Sequence, residues 1–110
     1  MKPQPTQPTT ISTLCLRAAD VIRERGWCQE TCMDEKGSVC LLGALLTADG
    51  IDLLAAEVVS CSYLERVTER AIERHINHDS VPGWNDKEGR TVEEVIAVLE
   101  ATAWENAAVA

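Results

Sequence analysis

The feature that most constrains this chain is a set of aliphatic stripes at helical spacing, built almost without aromatic residues. Ile11, Leu14, Cys15, Ala18, Ala19 and Ile22 recur three or four positions apart and share one helical face, with Asp20, Arg23 and Glu24 opposite. This spacing predicts a helix over Thr10–Arg25, closed by Gly26. A second stripe, Leu64, Val67, Ala71, Ile72, His75 and Ile76, follows a capping-box pair, Ser62 with Glu65. A third, Val92, Val95, Ile96, Leu99 and Ala103, follows Thr91 with Glu94 and predicts a helix through about Trp104. Apolar residues make up 45% of the chain, which excludes a disordered polymer, but aromatics supply only 4% and there is no Phe. The core must therefore come from Leu, Ile, Val and Ala, with Trp27, Trp84 and Trp104 as the few large pieces. A chain of 110 residues can close one such core without disulfides.

Between these stripes the pattern changes. Val39 to Ala48 is apolar all round and predicts a buried helix ended by Asp49-Gly50. Gly43 within it costs about 1 kcal/mol of helix propensity, the usual mark of close approach by another backbone. A short helix is expected from Asp52 to about Val58. Residues 27–40, WCQETCMDEKGSVC, break the helical period around an Asp34–Gly37 turn and predict a short β-hairpin leaning on the helices. Residues 77–90 read as loop. The expected fold is mainly α: a compact four- to five-helix domain with a short β-hairpin between the first two helices. Residues 1–9 are expected as a disordered tail with nothing to bury, 10–106 as a single helical domain, and 107–110 as a C-terminal tail. The Glu65/Glu69/Glu73 and Arg66/Arg70/Arg74 ladders read as a solvated face.

Charge and cysteine usage narrow the function classes. A formal net charge of −8 argues against non-specific nucleic-acid binding and against anionic membranes, since both need clustered Lys and Arg. No run reaches the roughly 18–20 apolar residues of a membrane span. Cys15, Cys28, Cys32, Cys40 and Cys61 are odd in number, and Cys15 and Cys61 fall on predicted helix faces as small hydrophobes. These features predict a cytoplasmic protein without structural disulfides.

Three constellations have residue types suited to chemistry. Cys28, Cys32 and Cys40 with His75 or His78 contain enough ligands for tetrahedral zinc, although paired Cys knuckles are missing. Cys28 with His75 and Asn85 or Asp86 contains the residue types of a thiol-nucleophile arrangement, although nothing beside Cys28 signals an activated thiol. Trp27, Cys28 and Gln29 open the expected hairpin, while Trp84, Asn85 and Asp86 sit in the loop before the last helix. Two loop tryptophans, each beside side chains able to make directed hydrogen bonds, suit a partner anchor or pocket. The same rings equally suit caps on the ends of a helical core, with Asn85 and Asp86 bonding local backbone. Phosphate loops, dinucleotide fingerprints and serine-nucleophile elbows are absent.

The order LRAADVIRERGWCQ, a short acidic turn, VCLLGAL, then WND followed by GRTVEEVIAVLEA resembles a small uncharacterised family found in actinobacteria and their bacteriophages. The resemblance spans roughly residues 12–103. Its distinctive blocks are Trp27-Cys28-Gln29, Cys40 with Gly43-Ala44, and Trp84-Asn85-Asp86. It implies that Cys28 and Cys40 belong to the pattern while Cys32, His75 and His78 do not, which weakens the zinc reading. It implies no reaction. The expectation is a non-enzymatic protein-interaction module without cofactor, such as a phage accessory protein acting on a host protein. Trp27, Cys28, Gln29, Cys40, Trp84, Asn85 and Asp86 would form its contact. The alternative is a Cys-based enzyme or metal/redox protein centred on Cys28 and Cys40. The Ala-rich segment around Trp104 is the one hint of self-association.

Overall fold

Side chains that satisfy the orphan amides of a first turn decide where the helices begin. Thr10 caps α1 (Ile11–Arg25) reciprocally with Thr13, and the Cys40 sulfur accepts from the Gly43 amide to cap α2 (Leu41–Ala48). Ser62 caps α3 (Tyr63–Ile76), and Ser80 caps α4 (Val81–Asn85). The last helix, α5 (Val92–Ala107), starts from a reciprocal Thr91–Glu94 pair. These elements come from a computed structural model, which describes residues 7–55 and 61–107. Its radius of gyration of 13.2 Å is ordinary for one domain of about 100 residues.

Helix α1 is central, lying against α5, α2 and α3. Leu14, Ile22, Leu41, Leu45, Ile72 and Leu99 are fully buried and, with Val39, Val81 and Val95, make the aliphatic core. Gly43 is the predicted close approach: a Cβ there would overlap the Cys32 carbonyl oxygen.

The expected β-hairpin is not present. Among the described residues there is no strand, only two isolated bridges, Trp27 with Val39 and Met33 with Val39. One residue serves both neighbours, so no ladder extends. Glu30 takes a left-handed backbone (φ 71°) between Trp27 and Met33, and the Asp34 carboxylate folds the turn by accepting from the Lys36 and Ser38 amides.

Other departures follow from tertiary contacts. Residues 77–90, expected as loop, contain α4, which the Ser80 cap and Pro82 at the helix start favour. The buried face of α3 is rotated from the predicted stripe: Glu65, Thr68, Ala71 and Ile72 are buried, while Leu64, Val67 and Ile76 are half-buried. Trp104, expected as a large core piece, is 82% exposed. Of the expected N-terminal tail, residues 1–6 lie outside the described residues, whereas Pro8 is buried and Gln7 Nε2 donates to the Asp49 carbonyl at 2.9 Å. Of the short helix expected from Asp52, Leu53–Ala55 form a turn and the remainder lies outside the described residues. Among the described residues no helix is long and apolar enough to cross a membrane.

Candidate functional site

The end of α4 places Asn85 against both the 27–40 segment and the start of α2. Its side chain is fully buried and all its hydrogen-bonding capacity is used. Oδ1 accepts from Trp27 Nε1 at 2.7 Å and from the Leu41 amide at 3.0 Å. Nδ2 donates to the Cys28 carbonyl at 3.2 Å and to Asp86 Oδ1 at 2.9 Å. One amide thus ties the first loop tryptophan to the second motif block and to the first turn of α2.

The neighbouring groups add to the clamp. Gln29 Nε2 donates to the Asn85 and Lys87 carbonyls at 3.0 and 3.1 Å. Asp86 Oδ1 accepts from the Glu30 amide at 2.8 Å, which accounts for the left-handed turn at Glu30. Cys40 is the N-cap of α2, and its amide donates to the Cys32 carbonyl at 3.1 Å. Trp84 contributes through its backbone and its ring: Arg90 Nε donates to its carbonyl at 3.0 Å, and the guanidinium carbon lies 3.8 Å from the ring centroid. All seven sequence-predicted residues therefore fall in one connected region. Glu30, Lys87 and Arg90 also belong to it and carried no signal in sequence, because their roles run through backbone groups or a stacking face.

The two thiols are not poised as nucleophiles. Cys28 Sγ donates to the Ser38 carbonyl at 3.3 Å and the Thr31 carbonyl at 3.5 Å. Burial, reinforced by the Asp34 charge, raises its pKa above the ordinary thiol value. Burial drives Cys40 up to about 12. A reactive thiol needs the opposite shift and an adjacent base. The two histidines engage other groups: His75 Nδ1 lies 2.6 Å from Glu105 Oε1, and His78 Nδ1 accepts from the Ser80 amide at 3.0 Å.

Two grooves on the described residues lie away from this region. A shallow groove of about 620 Å³ lies elsewhere, along Arg70, Glu73, Arg74, Asn77, His78 and Asp79. Another of about 380 Å³ runs past Arg25, Met33 and Leu54. Neither is lined by the seven residues. At the edge of the clamp Trp27, Gln29, Trp84 and Arg90 are half-buried, the two rings packing against the core.

A ligand-type cluster lies outside the predicted site. Cys61, Glu65 and Glu69 each place one donor atom within 4.8 Å of the others. Glu65 and Glu69 were visible in sequence as part of a Glu ladder read as solvated, and Cys61 as a small hydrophobe, but the inward rotation of Glu65 was not.

Residues 6–105 match the family of unknown function DUF6197, and the chain belongs to that family. No curated protein and no solved structure matches the chain.

Proposed function

We propose that this member of an uncharacterised family is a non-enzymatic interaction module, binding a partner protein through the surface built on the Asn85 clamp. The observation that carries this reading is the saturation of Asn85. Each of its polar atoms is used internally, so the motif blocks spend their chemistry on holding a shape. The half-buried Trp27, Gln29, Trp84 and Arg90 are thereby held on a rigid frame. A pre-organised surface loses less entropy on binding, and Trp and Arg are frequent anchors of protein interfaces. The raised thiol pKa values of Cys28 and Cys40 weigh against the Cys-enzyme alternative. On this reading the source is an actinobacterium or its phage, and the partner is a host protein in the bacterial cytoplasm.

The test is affinity capture from an actinobacterial lysate with the full chain and with Trp84→Ala and Arg90→Glu. Trp84 packs against the core and Arg90 stacks on its ring, so loss of capture counts as loss of contact only where circular dichroism shows the helices of each variant intact. The expected result is a partner retained by the native chain and lost by both variants. A partner retained equally by all three would place the contact elsewhere and end this reading.

A further inference from the structure

Glu65 is fully buried in the first turn of α3, and neither of its oxygens makes a hydrogen bond of ordinary geometry with a described residue, the Cys61 thiol and the Glu69 carboxyl being its polar neighbours. This is a costly state, because an unpartnered buried acceptor forfeits its hydration. A local remedy was available. Glu at the third helical position ordinarily bonds back to the N-cap amide, completing the capping box. Ser62 Oγ does accept from the Glu65 amide at 3.0 Å, but the Glu65 carboxylate does not return the bond. It points instead to Cys61 and Glu69, with one donor atom of each residue within 4.8 Å of the others.

We propose that Cys61, Glu65 and Glu69 form a binding site for a divalent cation of the zinc class. Glu65 and Glu69 lie one turn apart on α3 and Cys61 just precedes its N-cap, with Glu65 as the buried floor and the half-buried Cys61 and Glu69 at the mouth. A thiolate beside two carboxylates selects zinc over magnesium or calcium, which prefer oxygen-only shells. Three protein ligands leave the fourth tetrahedral position to water. The electrostatics agree with the geometry. Burial first, then the neighbouring Glu69, pushes Glu65 up to about 8 against an opposing contribution from the Cys61 thiol, and Asp49 adds to the rise. Cys61 is raised by burial and by Glu65 and Glu69, against a smaller opposing influence from Arg66. Acids that hinder one another's ionisation are discharged together by one cation, and their protons leave to solvent on binding.

The test uses the full reduced chain after chelator treatment, titrated with zinc chloride and, for spectroscopy, cobalt chloride. The expected result is one saturable equivalent of zinc, and a thiolate-to-cobalt charge-transfer band that Cys61→Ser abolishes. Glu65→Gln and Glu69→Gln should each weaken zinc binding by about 100-fold or more, exceeding the loss typical of outer-shell partners. Cys32→Ser should leave affinity unchanged. Glu69 is half-buried, so Glu69→Gln reports on binding without altering the buried floor of the site. The proposal is overturned if the native chain shows no saturable zinc binding, which would leave Glu65 and Glu69 as carboxyls sharing a proton. It is equally overturned if Cys61→Ser binds zinc as tightly as the native chain. Partner capture through Trp84 does not depend on either outcome.

Discussion

Asn85 and Glu65 are both polar and fully buried, and they meet that burial in opposite ways. Asn85 makes four hydrogen bonds and Glu65 makes none of ordinary geometry with a described residue. The same contrast recurs at the helix starts. Ser62-x-x-Glu65 and Thr91-x-x-Glu94 spell one capping signature, yet only the second closes. Glu94 Oε1 accepts from the Thr91 amide at 3.0 Å while Oε2 meets Arg90 at 3.0 Å, and these bonds hold its pKa below the ordinary value. Helix phase makes the difference. Glu94 lies away from the buried Val95 and Leu99, whereas Glu65 shares its face with the buried Thr68 and Ile72. A saturated buried amide is a structural joint. An unsaturated buried carboxylate that has given up its local partner is the group a ligand would satisfy.

The hardest break of this contrast is Asn85→Ala. It strands the Trp27 indole, the Leu41 amide and the Cys28 carbonyl together, so a loss of roughly 3–5 kcal/mol is expected in urea unfolding. Near-neutral behaviour would show that the clamp is not a joint.

Removing the charge at the other pole should act in the opposite direction. In metal-free protein at pH 8, Glu65→Gln is expected to stabilise the fold by roughly 1–3 kcal/mol, because the burial of an unpartnered anion is relieved. The pH profile gives the sign independently. The folded-state pKa of about 8 lies above the ordinary 4.5, so the stability linked to Glu65 is fully present below pH 4.5 and is lost as pH rises through about 8. Thermal melts across that window should slope downward for the native chain and flatten for Glu65→Gln. Parallel slopes would mean that Glu65 ionises as freely folded as unfolded.

The smallest effect separates the two capping signatures. Glu94→Ala should lower the unfolding midpoint slightly, since one orphan amide and the Arg90 contact are lost. Glu69→Ala, on the helix whose box stays open, should cost no cap in metal-free protein. An equal loss in chemical denaturation at both positions would erase the distinction.

Much of the helical body was legible in the chain itself. The stripe from Leu14 to Ile22 is buried as spaced, Thr10 begins the first helix, and Gly43 marks a backbone contact. The blocks around Trp27 and Trp84, offered as one contact region, meet through Asn85. The hairpin misled because Asp34–Gly37 does form a turn; what sequence could not show is that Glu30 would be drawn into a left-handed conformation by Asp86, a residue far along the chain. The solvated reading of Glu65 failed similarly. A charged residue in a Glu/Arg ladder looks exposed whenever local pattern alone is weighed.

What the sequence determined by itself is what short-range forces decide: helical periodicity, capping residues, the aliphatic character of the core and the acidic surface. The tertiary structure alone decided the rotation of α3 about its axis and the pairing of Asn85 with distant backbone. Both depend on which groups other elements bring close, and the burial of a carboxylate or an amide is an energy set by those neighbours.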